Sequence, residues 1–378
     1  MCWMDAYAWP PTFGPEFTFI PSDAMTLDSR GGRDPESEAY RQVMQAHTRA
    51  LAYFERLCGS RGDCSVDSRP YRQKYVISFP ARGIDITVGI DGPAIEVNVS
   101  PLTLEQATAA EPLLQEMIWG TMAQHGLIVD PVLAGGHMHG GFESAFDGDV
   151  VHFRNAVVDW ANHPEVFSGI FAGDYNNARP IAGIPEIESR FRRAIKKLDQ
   201  RIALAARGGP AITVGEARKL INVGTYGSYE TDDPLHFSNR GEQNKFRTFQ
   251  KYSQINLAHL DTFELRGFAP QKSFAEWLLQ CRLIQARLAW VKNGGGKIPI
   301  RIPAYYRAAP VKEGQLFRAW VEESGLDWND YRGLLESPQL QTLVDQAPRI
   351  PSRSANGCTP EALSLNRVIQ ILRVAVGH

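Results

Sequence analysis

Cysteine is scarce in this sequence, with five in 378 residues (Cys2, Cys58, Cys64, Cys281 and Cys358), an odd number containing no CxxC pair. That excludes a zinc knuckle and fits reduced thiols better than a disulfide framework; Cys58 and Cys64, flanking "GSRGD", are the one pair that could bridge. The "RGD" itself is expected to be a polar turn. Long apolar runs are missing too, and none approaches the roughly 20 residues a membrane-spanning helix needs. The opening residues, "MCWMDAYAWPPTF", carry an acid and two prolines where a secretory leader would carry a basic stretch and then an apolar one. These absences lead to the expectation of a cytoplasmic protein with no membrane partner. Neither sign of charge dominates: 40 Lys and Arg against 42 Asp and Glu leave a formal charge of −2. No global field therefore favours nucleic acid, and any anionic ligand must be met locally.

What is present is a globular composition, 43% hydrophobic, enough for one large domain or two ordinary ones. "TFGPEFTFI" alternates, placing Phe17 and Phe19 on one face of a strand and Glu16 and Thr18 on the other. Residues 36 to 57 have helical periodicity. "KYVISF" (74 to 79), "DITVGI" (85 to 90) and "AIEVNVS" (94 to 100) form strands, the last two joined by an Asp91-Gly92 hairpin turn. Thr103 and Gln106 make a capping box that opens a helix through about residue 125. Further helices are expected over about 143 to 172 and 186 to 206. The second carries Arg190, Arg192, Arg193, Lys196, Lys197 and Arg201, and a solvated face explains them better than a binding site. "QKYSQINLAHLDTFELRGF" (250 to 268) suggests a strand pair, and Ser273 with Glu276 caps the helix that follows. The segments 28 to 37 and 291 to 303 have the composition of surface loops. Hairpins mixed with helices, without regular βαβ units, indicate an α+β protein around an antiparallel sheet.

Three short pieces carry chemistry. Glu16 in "FGPEFTF", His137 in "GGHMHGG", and Glu264 with Arg266 in "FELRGF" each sit on the polar side of an expected strand. Two carboxylates and an imidazole form a ligand set for Mg2+ or Mn2+ with an open position for a phosphate oxygen. An arginine two residues along the same strand would lie beside the ion and grip that phosphate bidentately. Singly, each residue is more simply a solvated or satisfied polar group; it is their order along the chain that matters.

In that order the pieces resemble a family. "GGHMH" is similar to the Gly-x-Gly-Met-His-x-His segment of glutamine synthetases, "FELRGF" to their late Glu-x-Arg strand, and "FGPEFTF" to the Gly-x-Glu-x-Glu strand that opens their catalytic sheet. "DGPAIEVNVSPL" and "INLAHLDTFELRGF" resemble segments of the amidoligases, carboxylate–amine ligases sharing that fold with glutamate–cysteine ligases. The resemblance spans about residues 13 to 268. It implies a glutamine-synthetase-like catalytic domain over 1–290, a curved antiparallel sheet forming a funnel with helices on its outer face. A mostly helical C-terminal extension, 291–378, would pack on it. It implies ATP and Mg2+ (or Mn2+), with one ion held at Glu16, His137 and Glu264. The family's second ion uses a second acid on the opening strand; here that position is Thr18, which leaves Glu96, with Asp91, to hold it. Nucleotide-binding cations are expected just before the last motif, where "NRGEQNKFRTFQK" offers Arg240, Lys245, Arg247 and Lys251.

The activity implied is ATP-dependent joining of a small-molecule or peptide carboxylate to an amine through an acyl phosphate, with Arg266, Glu264 and His137 at the reacting centre. His139 would face the same side as His137 if the segment is extended, and Glu143 is a candidate base more simply explained as an exposed helix start. Two alternatives remain: a metal hydrolase using His137 and His139 as a two-histidine zinc site, and a non-catalytic nucleotide-binding relative of the ligase fold.

Overall fold

The alternation in "TFGPEFTFI" is realised as strand β1 (Thr12–Pro21), which buries Phe13, Phe17 and Phe19 and turns Glu16 and Thr18 to the other side. The structure is a computed structural model and describes residues 10–22, 38–69, 73–91, 94–130, 135–166, 178, 180–227, 253–268, 270–294, 296–304, 310–335 and 338–355. After β1 come helix α1 (Glu38–Arg61) and strands β2 (Ser65–Arg69), β3 (Lys74–Phe79), β4 (Ile84–Asp91), β5 (Ala94–Val99) and β6 (Leu102–Thr103). Next are α2 (Leu104–Leu114), a π-helical stretch (Gln115–Gly120), α3 (Thr121–Gln124), β7 (Leu127–Ile128), β8 (Gly136–Gly141), α4 (Phe142–Phe146) and α5 (Val150–Asn162). The chain continues with α6 (Pro185–Ala205), α7 (Val214–Tyr226), β9 (Ile255–Asn256), β10 (Thr262–Phe268), α8 (Phe274–Asn293), α9 (Pro310–Glu323), α10 (Trp328–Tyr331) and α11 (Pro338–Gln346). The fold is α+β, as expected.

The strands make one sheet in the order β2-β3-β4-β5-β1-β8-β10-β9, with β6 and β7 also paired to β1, and the ladders among the described residues are antiparallel. The registers line up the apolar side chains in rows across it. Phe17 stands opposite Val97, which faces Val88, which faces Tyr75; Met138 faces Leu265. These side chains are buried, and period two sends their neighbours to the opposite face. On the apolar side Phe17 packs edge-on against Trp119 at 4.5 Å and against Phe274 and Trp277 of α8 at 6.4 Å. The capping box at Thr103 and the N-cap at Ser273 start α2 and α8 as the sequence indicates, with Thr103 Oγ1 accepting from Gln106 N and Ser273 Oγ from Glu276 N. The Gln115 carboxamide then receives Phe274 N at 2.9 Å and ties the two helices together.

Three local expectations are corrected. The helix expected over 143 to 172 is broken at Asp147 and Gly148, both at positive φ, because Asp149 caps a new helix by accepting from Val151 N and His152 N. The expected surface loop at 291 to 303 is instead clamped. Asn155 and Asn162 lie seven residues apart on α5, a rise of about 10 Å, which matches three extended residues. Asn155 therefore accepts from Ile298 N and donates to the Gly296 carbonyl, while Asn162 accepts from Arg301 N and donates to the Pro299 carbonyl. The companion segment, 28 to 37, lies outside the described residues. Cys58 and Cys64 are disulfide-bonded, Cα atoms 5.0 Å apart, and Cys281 is a buried free thiol. Gly62, at φ 73°, reverses the chain after α1 and brings Cys64 back beside Cys58; the thiols thus no longer point to a reducing compartment. Of the glycines around His137, Gly140 serves packing. A Cβ there would meet the Phe263 ring at 2.1 Å, so only glycine lets that ring lie across β8.

The "RGD" is a turn in which Arg61 and Asp63 pair with each other at 2.9 Å. The basic helix α6 buries Ile187, Phe191, Ala194, Ile195 and Leu198 and leaves Arg193, Lys196, Lys197 and Arg201 exposed. The buried cluster is continuous from Phe13 to Val344 and takes in side chains on both sides of residue 290. Among the described residues, no helix is long and apolar enough to cross a membrane.

Candidate metal centre

The polar face of the sheet places the three expected ligands on neighbouring strands. Glu16 on β1 lies directly opposite His137 on β8, and Glu264 on β10 lies opposite His139, the next residue of β8 on that face. Because β8 is extended, His137 and His139 do share a side. One oxygen or nitrogen from each of Glu16, His137 and Glu264 falls within a group whose members are all within 4.8 Å of one another.

Arg266 shares that face, two residues after Glu264, and a bulge follows Leu265. Leu265 pairs with Met138 and Phe268 with Gly136, so Arg266 and Gly267 together oppose His137 alone. Without the extra residue, Phe268 would turn to the polar side; with it, Arg266 stays beside Glu264 while Phe268 returns to the core, fully buried. Arg266 Nη1 donates to Glu264 Oε1 at 2.5 Å.

The two oxygens of Glu264, whose side chain is 2% exposed, have different surroundings. Oε1 faces His137 Nδ1 at 3.3 Å as well as Arg266. Oε2 accepts from Asn256 Nδ2 at 2.8 Å and lies 3.1 Å from His259 Nε2. Burial pushes the Glu264 carboxyl up, but the hydrogen bond to His259 and the charges of His137, Arg266 and His139 outweigh it and bring the pKa down to about 2. Burial also raises Glu16, which is 2.5 Å from His137 Nδ1 through Oε1 and 3.4 Å from His139 Nε2 through Oε2. Those histidines more than cancel it and hold Glu16 well below the carboxylate range. His259 is raised in turn by its hydrogen bond to Glu264. Both acids are thus kept as anions, the form that ligates metal.

The donor set fits a divalent ion. Ligands about 2.1 Å from an octahedral ion stand about 3 Å apart. The Glu264–His137 separation already matches, and the Glu16–His137 contact would open by roughly half an ångström. Two carboxylates against one guanidinium leave negative charge for a cation to neutralise.

The remaining candidates are placed differently. Glu96 lies on β5, one strand beyond Glu16, and accepts from Asn98 Nδ2 at 2.7 Å. It is outside the three-ligand group, and burial followed by the charge of Glu16 pushes its carboxyl above the usual range. Glu143 is exposed at the start of α4. Arg240, Lys245, Arg247 and Lys251 lie outside the described residues. His259 was not singled out from the sequence; its one signal is a place in the turn "NLAHLD", five residues before Glu264. Compared with family models and with curated proteins, the chain matches none.

Proposed function

We propose that this chain is an ATP-dependent carboxylate–amine ligase of the amidoligase type. The observation that supports it is the meeting of Glu16, His137 and Glu264, three residues far apart in sequence, with Arg266 seated on Glu264. Each belongs to one of the motifs through which the sequence resembles that group, and Asn256, from the same ending, holds Glu264.

Glu16, His137 and Glu264 would hold Mg2+ or Mn2+, which supplies neutralisation of phosphate charge. Arg266 would offer its guanidinium fork to a γ-phosphate oxygen, exchanging part of its contact with Glu264 for the ligand. In the reaction proposed, the substrate carboxylate attacks the γ-phosphorus and ADP leaves. The amine then displaces phosphate from the acyl phosphate and forms the amide. The activation is needed because a carboxylate is a poor electrophile. The test is incubation with ATP, divalent ion and pools of carboxylic acids and amines. ADP release that depends on the acid pool supports the ligase; AMP release, or turnover with no nucleotide requirement, counts against it.

A second reading, a metal hydrolase, draws on the shared face of His137 and His139. It leaves Arg266 without a substrate role, and ATP-independent hydrolysis with tightly held zinc would favour it.

A further inference from the structure

We propose that His139 is a fourth protein ligand at this centre, making a site of two imidazoles and two carboxylates that selects Mn2+ or a neighbouring first-row ion over Mg2+. The inference rests on reading the cluster as a metal centre, though not on the ligase reaction.

His139 Nε2 is 3.4 Å from Glu16 Oε2 and 4.0 Å from Glu264 Oε1. These approach the separations of two ligands of one ion, about 3 Å for adjacent positions and about 4 Å for opposite ones; His139 stands outside the tighter group of Glu16, His137 and Glu264, so its ring would close in by a small movement as the ion binds. The ring is oriented for this, because Nδ1 points the other way, 3.5 Å from Thr262 Oγ1. Its flank is closed by His259, whose ring meets it edge-to-face with centroids 5.4 Å apart. Glu16 thereby has an imidazole against each carboxylate oxygen, His137 at Oε1 and His139 at Oε2.

The chemical class of the ion follows from the donors. Mg2+ is hard, keeps several waters and is usually bound through one or two carboxylates. Imidazole nitrogens suit first-row transition ions, whose affinity rises from Mn2+ to Cu2+ and falls back at Zn2+. Two imidazoles convergent on two anionic carboxylates are mismatched to Mg2+ and matched to Mn2+, Fe2+, Co2+ or Zn2+. His259, on the far oxygen of Glu264, orients a ligand in this arrangement and does not itself bind the ion.

The test loads the metal-free full chain with Mn2+ and counts directly bound nitrogens by electron spin-echo spectroscopy. Two imidazole nitrogens are expected, and one would overturn the proposal. Calorimetric titration with Mn2+ and Mg2+ of the wild type and His139→Ala provides the second readout. Outer-shell partners alone contribute 10–100-fold to affinity, so loss of a ligand should weaken Mn2+ by at least about tenfold while changing Mg2+ little. Unchanged Mn2+ affinity in a folded His139→Ala protein would also overturn it. If that variant does not fold, the nitrogen count on the wild type decides. Failure of any divalent ion to bind the wild type would remove the metal centre itself, an outcome distinct from an ion held by His137 alone.

Discussion

Thr18 and Glu96 stand directly opposite each other across β1 and β5, in the row next to Glu16. The pair marks the position where the resembled family carries a further acid. Thr18→Glu would put two carboxylates face to face, one already raised by burial. Without metal this should cost about 1 kcal/mol, and added Mn2+ or Mg2+ should restore the loss by bridging the two acids. Melting temperatures of both proteins across an ion titration check it. An ion response identical to wild type would mean that this face hosts no second cation.

Arg266→Lys keeps the charge but loses the planar fork. If the ligase reading holds, ATP turnover should fall by roughly 10- to 100-fold, while the urea midpoint moves by less than the equivalent of about 1 kcal/mol. Parent-level turnover would give the arginine a purely structural place beside Glu264.

His259→Ala should weaken Mn2+ binding by about 10- to 100-fold with little change in fold stability, because it removes one of the two groups that orient Glu264 through Oε2. The side chain is 46% exposed, so its loss leaves no large cavity. Calorimetry and a thermal melt on the same sample separate the two effects.

Asn155→Leu should destabilise the protein by about 1 to 3 kcal/mol, since the clamp loses its bonds to Gly296 and Ile298 and leaves the buried Ile298 N–H without its partner. Accelerated tryptic cleavage after Lys297 and a lowered urea midpoint are the expected readouts. Unchanged cleavage would mean that Asn162 and Arg154 hold the segment unaided.

Acid should unfold the protein through its buried ion pairs. Burial alone would raise Asp159 and Glu165, but Arg287 for the first, and His163 with Arg353 for the second, hold both below their ordinary values of 3.8 and 4.5. A depressed folded-state pKa contributes stability that is present above the unfolded value and lost as pH falls through the folded one. Stability should therefore hold from pH 7 to about 5 and decline below about 4.5. In Asp159→Asn the acid limb should be shallower. At neutral pH it should be less stable by about 3 kcal/mol, because Arg287, itself fully buried, loses the nearer of its two carboxylate partners and keeps only Glu323 at 3.4 Å. Urea titrations at several pH values check both.

Much of the local structure follows from residues only a few positions apart. Period-two alternation specifies β1, β3, β4 and β5, and a hydroxyl three residues before Gln106 or Glu276 specifies where α2 and α8 begin. Thr213 and Glu216 form a capping box ahead of α7, a signal equally local in the sequence. β2, "SVDSR", has no alternation to see; it exists because β3 offers it an edge to pair with. Likewise "KIPIRIP" has loop composition and is ordered by asparagines more than a hundred residues away.

For the site, the sequence by itself determined which residues carry ligating chemistry and, through strand periodicity, which face of its own strand each one occupies. It also determined the chemical contrast at Thr18, where an uncharged hydroxyl replaces an acid. Only the tertiary structure decided which of these groups meet. Strand order and register set the distances between Glu16, His137 and Glu264, and a one-residue slip in either ladder would turn one of these side chains into the core. The bulge after Leu265, the ring of Phe263 lying over Gly140, and the placement of Asn256 and His259 on the far oxygen of Glu264 are likewise products of packing between strands. No local propensity encodes them, because each is a contact between residues whose separation along the chain carries no information about their separation in space.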